Sequence, residues 1–217
     1  MQTKITQHES PLARFVTADK SLRMQGLNIV DVLTKRKNGH QAITSNEHIH
    51  YPEDDVLDSS TGAQYFLHRH ESAGVGETVH LHIFKRWKPQ EPKLKEQDSV
   101  LTHLAALTLD LQGNPKQWIA VNQWVVADFW QPYDVTVEIF RGWKIETPDS
   151  NRGDDISQLS HEWLSSLIAL QLDTEIKDLL MARDLKLDQM IDESPGVNVL
   201  EDQTVEVLSI KDIEIWN

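Results

Sequence analysis

The chain has 217 residues, no cysteine and a formal net charge of −13 at pH 7. A chain of this length usually forms one domain and can bury a core. The lack of cysteine excludes disulfides, thiolate zinc sites and cysteine nucleophiles. The acidic excess argues against a nucleic-acid partner, because phosphate binding needs clustered Lys and Arg. No secretory h-region and no membrane-length apolar run is visible, so we expect a cytoplasmic protein without a membrane partner.

The N-terminal part of the chain predicts a tail followed by helices. Residues 1–11 are polar and end at Pro11, which is typical of a flexible tail. A single domain is expected over residues 12–217. Apolar residues recur with helical spacing from Leu12 to Lys37, which predicts one or two helices broken near Gly26.

The middle of the chain predicts two β-hairpins. Residues 48–62 are polar, acidic and rich in turn residues, and we interpret them as a turn region. "AQYFLHRH" and "ETVHLHIF", residues 63–70 and 77–84, alternate with period two, as half-buried strands do. Residues 99–111 and 116–126 form a second candidate hairpin, whose turn contains Gly113 and Asn114.

The C-terminal part predicts helices and one returning strand. Residues 128–142 are ambiguous, since "DVTVEIF" alternates like a strand after a loop-like stretch. Residues 154–172 and 175–187 have helical apolar spacing, and "TVEVLSI" alternates again. The sequence therefore predicts one α+β domain, an antiparallel sheet packed with N- and C-terminal helices.

Histidines are concentrated in the predicted strands. Eight of the ten lie between residues 40 and 103. Residues i and i+2 of a strand share a face, so His68 lies beside His70, and His80 beside His82. If the first hairpin is centred on Gly74, His68 lies opposite His80 and four imidazoles share one face. A one-residue shift of register would scatter them.

These histidines are candidate metal ligands. The predicted set is His68, His70, His80 and His82, with Asp55 as the nearby carboxylate. Two histidines and one carboxylate are typical of mononuclear iron oxygenases, whereas three histidines suit zinc or copper. We expect divalent iron, zinc or manganese if a metal binds, and otherwise no cofactor. A solvated sheet face without metal is the open alternative.

A second candidate site lies on the second hairpin. Trp118, Asn122 and Trp124 would share a strand face, and His103 is expected to lie across from Trp124. Such a pocket would suit a planar or apolar ligand. Packing of both tryptophans in the core is the interpretation that we favour, because tryptophan is heavily buried on average.

The order of these motifs resembles a known family. "HYPEDDVLD", "QYFLHRH", "VHLHIF" and "LTHLAALTLDLQGNP" are similar to a family of uncharacterised bacterial proteins, defined only as a domain of unknown function. The resemblance covers residues 45–212. The family's second histidine strand reads closer to Gly-His-Phe-His, whereas Val79 and Leu81 stand here. The resemblance implies one domain and a bacterial source but no reaction.

Two functions remain open at this point. The first is a metal-dependent enzyme of oxygenase-like or hydrolytic type. The second is a non-enzymatic module whose face, rich in His and Trp, binds a small molecule or a protein partner. The sequence determines neither the oligomeric state nor the substrate.

Overall fold

The chain folds into one six-stranded antiparallel sheet with helices packed against it, as a computed structural model describes for residues 9–34, 49–69, 78–89, 99–149 and 155–214. The strands follow one another in chain order: β1 (Tyr51–Leu57), β2 (Ala63–His68), β3 (Thr78–Trp87), β4 (Val100–Asp110), β5 (Pro115–Val121) and β6 (Val207–Asp212). The helices are α1 (Pro11–Met24), α2 (Ile29–Leu33), α3 (Gln123–Val126), α4 (Tyr133–Phe140), α5 (Asp155–Gln171) and α6 (Glu175–Glu193), and a 3-10 helix spans Val199–Glu201. The predicted α+β class is confirmed.

The predicted N-terminal helices and the break between them are confirmed. Pro11 is the first residue of α1, where its missing N–H costs nothing, and Ser10 accepts a hydrogen bond from the Ala13 N–H. Gly26 follows α1 with a φ of +70°, a conformation that glycine adopts without strain. Asn28 then caps α2 by accepting from the first turn.

The core lies between the helices and one face of the sheet. Val79, Leu81 and Ile83 of β3 point into it and are fully buried. The same core contains the indoles of Trp118 and Trp163. Alternation along β3 therefore leaves His80 and His82 on the opposite face.

The predicted register of the first hairpin is also confirmed. His68 pairs with His80 and Phe66 pairs with His82 across β2 and β3. Residues 70–77, which connect these strands, lie outside the described residues.

The turn region predicted over residues 48–62 differs from the structure in one respect. Residues 51–57 form the edge strand β1, which pairs with β2 through an irregular register between Tyr51 and Val56. An edge position tolerates Pro52 and the exposed acidic side chains that argued against a strand. The irregularity includes Asp55, which has a φ of +38°.

The ambiguous "DVTVEIF" segment is the helix α4, not a strand. Its buried residues are Thr136, Val137 and Phe140, which lie on one side of a helix. The Thr136 hydroxyl donates to the carbonyls of Gln131 and Pro132, which reinforces the first turn. Seven residues with period-two alternation thus also fit a short amphipathic helix, and packing against the core decides between the two.

None of the helices in the described ranges has the length and apolarity that crossing a membrane requires.

Asp58 fixes the end of β1 to the segment after α4. Its carboxylate is fully buried and accepts from the backbone N–H groups of Ser60, Thr61, Glu146 and Thr147. The Ser60 hydroxyl also donates to it. Burial alone would raise the pKa of Asp58, but these hydrogen bonds outweigh burial and lower it to about 2.

We predict that Asp58→Asn lowers the free energy of unfolding by about 2 kcal/mol at pH 7. Because the folded pKa lies below the ordinary value of 3.8, the stabilisation is complete above that value and is lost as pH falls towards 2. Urea unfolding at pH 7 and pH 3 measures both effects. Asp54→Asn, at an exposed position of β1, is the matched control. Equal losses in the two variants would contradict this role for Asp58.

Candidate metal centre

Three imidazoles meet on the sheet face opposite the helices. His68 comes from β2, and His80 and His82 come from β3; one ring nitrogen from each lies within 4.8 Å of the others. The Nε2 atoms of His68 and His82 are 3.0 Å apart. Two nitrogens bound to one tetrahedral zinc ion are ~3.3 Å apart, given Zn–N bonds of about 2.0–2.1 Å. Small side-chain movements would therefore bring all three rings onto one ion.

The three histidines differ in their exposure to solvent. His82 is 3% exposed and His68 is 8% exposed, whereas His80 is only partly buried. Burial favours the neutral imidazole, which is the form that binds metals. Among the three, His80 is therefore the imidazole most exposed to solvent.

Aromatic stacking holds the imidazole rings in place. Phe66 lies between His50 and His82, with ring centroids 3.7 Å from the first and 5.2 Å from the second, and both pairs are nearly parallel. The ring of Phe84 lies beside this pair, with its centroid 5.6 Å from Phe66 and 6.2 Å from His82. These contacts restrict rotation of His82, so its nitrogens keep fixed directions.

A fourth imidazole, that of His103, lies behind His82. Its Nε2 is 3.1 Å from the Nδ1 of His82. His103 reaches this face through a register shift in the β3–β4 pair, where Ile83 pairs with Ala105 but Phe84 pairs with His103. The extra residue, Leu104, reverses the alternation, because a bulge inserts one residue into one strand.

The surroundings of His103 hold it neutral. Burial lowers its pKa to about 3, and the nearby positive charge of Arg183 acts in the same direction. Asp128 accepts a hydrogen bond from the His103 backbone N–H at 2.9 Å. Burial raises the pKa of Asp128 to about 6, although this hydrogen bond and Arg183 oppose the rise.

The carboxylate predicted to help bind metal, Asp55, has two partners in the structure. Its Oδ1 lies 2.8 Å from the Nδ1 of His50, and its Oδ2 accepts from the Nε2 of Gln64 at 3.0 Å. Arg86 in turn donates to the Oε1 of Gln64. Asp55 is thus placed to orient His50, next to the row of aromatic rings, and its predicted role as a metal ligand stays a prediction.

The remaining predicted metal ligand, His70, lies outside the described residues. The other three occupy the cluster in the predicted register. Sequence reasoning did not include His50 in the predicted ligand set. His50 precedes Tyr51 in the region predicted as a turn, where no strand alternation indicates which side a residue faces.

The structure separates the four residues of the predicted ligand pocket. Trp118 faces the helices, where its indole N–H donates to Gln171. Strand β5 ends at Val121, so Trp124 lies in α3 and donates to the Val205 carbonyl. Trp124 therefore does not pair with His103. The partner of His103 in β3 is Phe84.

Asn122 is the fourth residue of that pocket. It is fully buried, and its amide donates to the carbonyls of Val199 and Val205 while its Oδ1 accepts from Gln123. These bonds tie the end of β5 to the segment that precedes β6. Ligand binding by this set stays a prediction.

We predict that Asp128→Asn makes stability rise more steeply with pH. In the folded protein the raised pKa of Asp128 makes stability fall between pH 3.8 and about 6, since only the unfolded chain ionises there. The lowered pKa of His103 acts oppositely, adding stability as pH rises towards 6.5. The Asp128→Asn variant keeps a side-chain oxygen that accepts from the His103 backbone N–H. It removes only the fall in stability that the raised pKa of Asp128 causes. Urea unfolding at pH 4, 5, 6 and 7 compares the slopes, and identical slopes would contradict the raised pKa.

Comparisons with known proteins identify the family. No curated protein and no solved structure matches the chain. The family model DUF6969, described as a domain of unknown function, matches residues 10–213. The resemblance inferred from the order of the motifs is confirmed, and the chain belongs to the DUF6969 family.

Proposed function

We propose that this protein binds one divalent metal ion through His68, His80 and His82 and uses it for catalysis. The observation that supports the proposal is the convergence of three ring nitrogens within 4.8 Å on one sheet face. Three protein ligands leave a position open on a four-coordinate ion, and an open position distinguishes catalytic from structural zinc sites.

The donor set favours water activation over oxygen activation. Three neutral imidazoles leave the double charge of the metal uncompensated, which favours ionisation of a bound water. The facial arrangement of oxygenases needs a carboxylate in place of one imidazole. Asp55, the predicted carboxylate, has both oxygens engaged by His50 and Gln64. A hydrolytic enzyme that uses zinc is therefore our first proposal, and an iron or manganese oxygenase is the alternative.

A buried hydroxyl beside the cluster supports an oxygen ligand there. Thr108 pairs directly with His80 across β3 and β4. Its Oγ1 is buried and has no hydrogen-bond partner among the described residues. A buried hydroxyl without a partner is costly, and directly paired side chains lie about 5 Å apart. A water or substrate oxygen on the metal would lie within reach of this hydroxyl.

We predict that tag-free protein purified without chelator contains close to one equivalent of zinc, iron or manganese. A His80→Ala/His82→Ala double variant should contain none, because it retains only one of the three imidazoles. Elemental mass spectrometry measures the metal content, and circular dichroism checks that the variant is folded. Cobalt substitution adds a visible spectrum that reports the coordination number.

His50→Phe is the matched control for this experiment. It removes an imidazole that is not in the proposed ligand set but keeps an aromatic ring stacked on Phe66, so its metal content should equal that of the unsubstituted protein. Absence of metal from the unsubstituted protein, even after reconstitution with each ion, would rule the proposal out. Equal loss in His50→Phe would show that the ligand set is wrong.

A further inference from the structure

The two strands that flank β3 differ in what they place beside its candidate ligands. On one side, β2 provides the third imidazole, that of His68, opposite His80. On the other side, β4 places Ala106 opposite His82 and Thr108 opposite His80. A four-coordinate ion that takes its nitrogens from β2 and β3 has its remaining position directed away from β2. A ligand in that position therefore lies on the side of β4, next to a methyl group and a hydroxyl.

The Thr108 hydroxyl is available to such a ligand. Thr108 is 6% exposed, and its Oγ1 has no hydrogen-bond partner within the described part of the chain. Its polar neighbours are engaged elsewhere. Gln117, which pairs with Thr108 from β5, donates to Asp212, and Asp110, two residues further along β4, accepts from Asn114. The register of the sheet thus leaves a buried hydroxyl beside the cluster that these neighbours do not engage.

Packing in the sheet does not require a hydroxyl at position 108. Valine has the same branched shape, is also favoured in strands and carries no polar atom. A buried polar group without a partner costs stability, whereas an apolar group of the same shape does not. The hydroxyl therefore lowers the stability of the metal-free protein, and binding of a ligand would offset that loss.

We propose that Thr108 is a specificity-determining residue for the ligand on the metal. Its hydroxyl donates a hydrogen bond to an oxygen atom of that ligand, because an unpaired buried donor is tolerated less than an unused lone pair on oxygen. The ligand is therefore an oxyanion that binds the metal through an unprotonated oxygen, as a carboxylate or a phosphate does. This inference rests on the proposed function, whereas the unpaired hydroxyl of the metal-free protein does not.

Thermal unfolding of the metal-free protein tests the state of the hydroxyl. Thr108→Val removes the hydroxyl and keeps the shape of the side chain, so its Tm should equal or exceed that of the unsubstituted protein. A hydroxyl that already has a partner would give Thr108→Val a lower Tm. That result, or failure of the variant to fold, would overturn the inference.

Ligand binding to the metal-loaded protein tests the role in specificity. Co²⁺ has a visible spectrum that changes when a ligand enters its coordination sphere, and the probes are acetate, methyl phosphate and iodide. The unsubstituted protein, Thr108→Val and Thr108→Ser should each bind one equivalent of Co²⁺, because Thr108 is not a metal ligand. We expect Thr108→Val to bind both oxyanions about 10- to 100-fold more weakly. Thr108→Ser, which keeps the hydroxyl, should recover most of this loss.

Iodide is the control ligand, because it is a poor hydrogen-bond acceptor. It should bind all three proteins with the same affinity. Of the two oxyanions, the one that the unsubstituted protein binds more tightly indicates whether the natural ligand is a carboxylate or a phosphate.

The outcomes separate this inference from the proposed function. Absence of Co²⁺ binding by the unsubstituted protein would end the proposed function, and this inference with it. Co²⁺ binding together with equal oxyanion affinity in Thr108→Val would keep the metal site and refute the role of Thr108. Failure of both oxyanions to bind the Co²⁺-loaded protein would refute that role as well. So would an equal loss of iodide affinity, since it would indicate a general change of the site and not a lost hydrogen bond.

Discussion

The register of β3 between its two neighbours is the constraint on which the rest of the structure depends. Its alternation gives the helices an apolar face of Val79, Leu81 and Ile83, and it gives the other side His80 and His82. A slip of one residue would exchange the two faces. It would bury imidazoles against the helices and expose the apolar side chains. The burial that stabilises the fold thus also assembles the candidate site.

Much of the fold could be predicted because periodicity and turn chemistry agree along most of the chain. The first hairpin, the break at Gly26 and the final strand β6 all lie where the pattern indicates. Two segments differ between the predicted and the observed structure, and both differences have physical causes. The segment of residues 51–57 becomes a strand because an edge position tolerates proline and acidic residues. The α4 segment becomes a helix because its alternation is too short to exclude one and its buried residues pack against the core.

The neighbours of the candidate ligands were less predictable, because their positions depend on departures from regular strand geometry. His103 has the same parity along β4 as the core residues Ala105 and Leu107, so regular alternation would direct it towards the helices. The bulge at Leu104 turns it to the histidine face. Asp55 reaches His50 from an irregular stretch of β1, at a residue with positive φ. Sequence periodicity contains no signal for the position of a bulge, so these neighbours required coordinates.

The histidine face is difficult to explain as packing alone. A buried ring nitrogen without a partner is costly, and both nitrogens of His82 have imidazole nitrogens as neighbours. Phe66 occupies the neighbouring position in the same stack, and its ring has no nitrogen that needs a hydrogen-bond partner. A row of aromatic hydrocarbons would therefore cover the sheet more simply. Local choices that cost stability are characteristic of functional sites. The gain that we propose is a set of three ring nitrogens within 4.8 Å of one another, which one metal ion would use together.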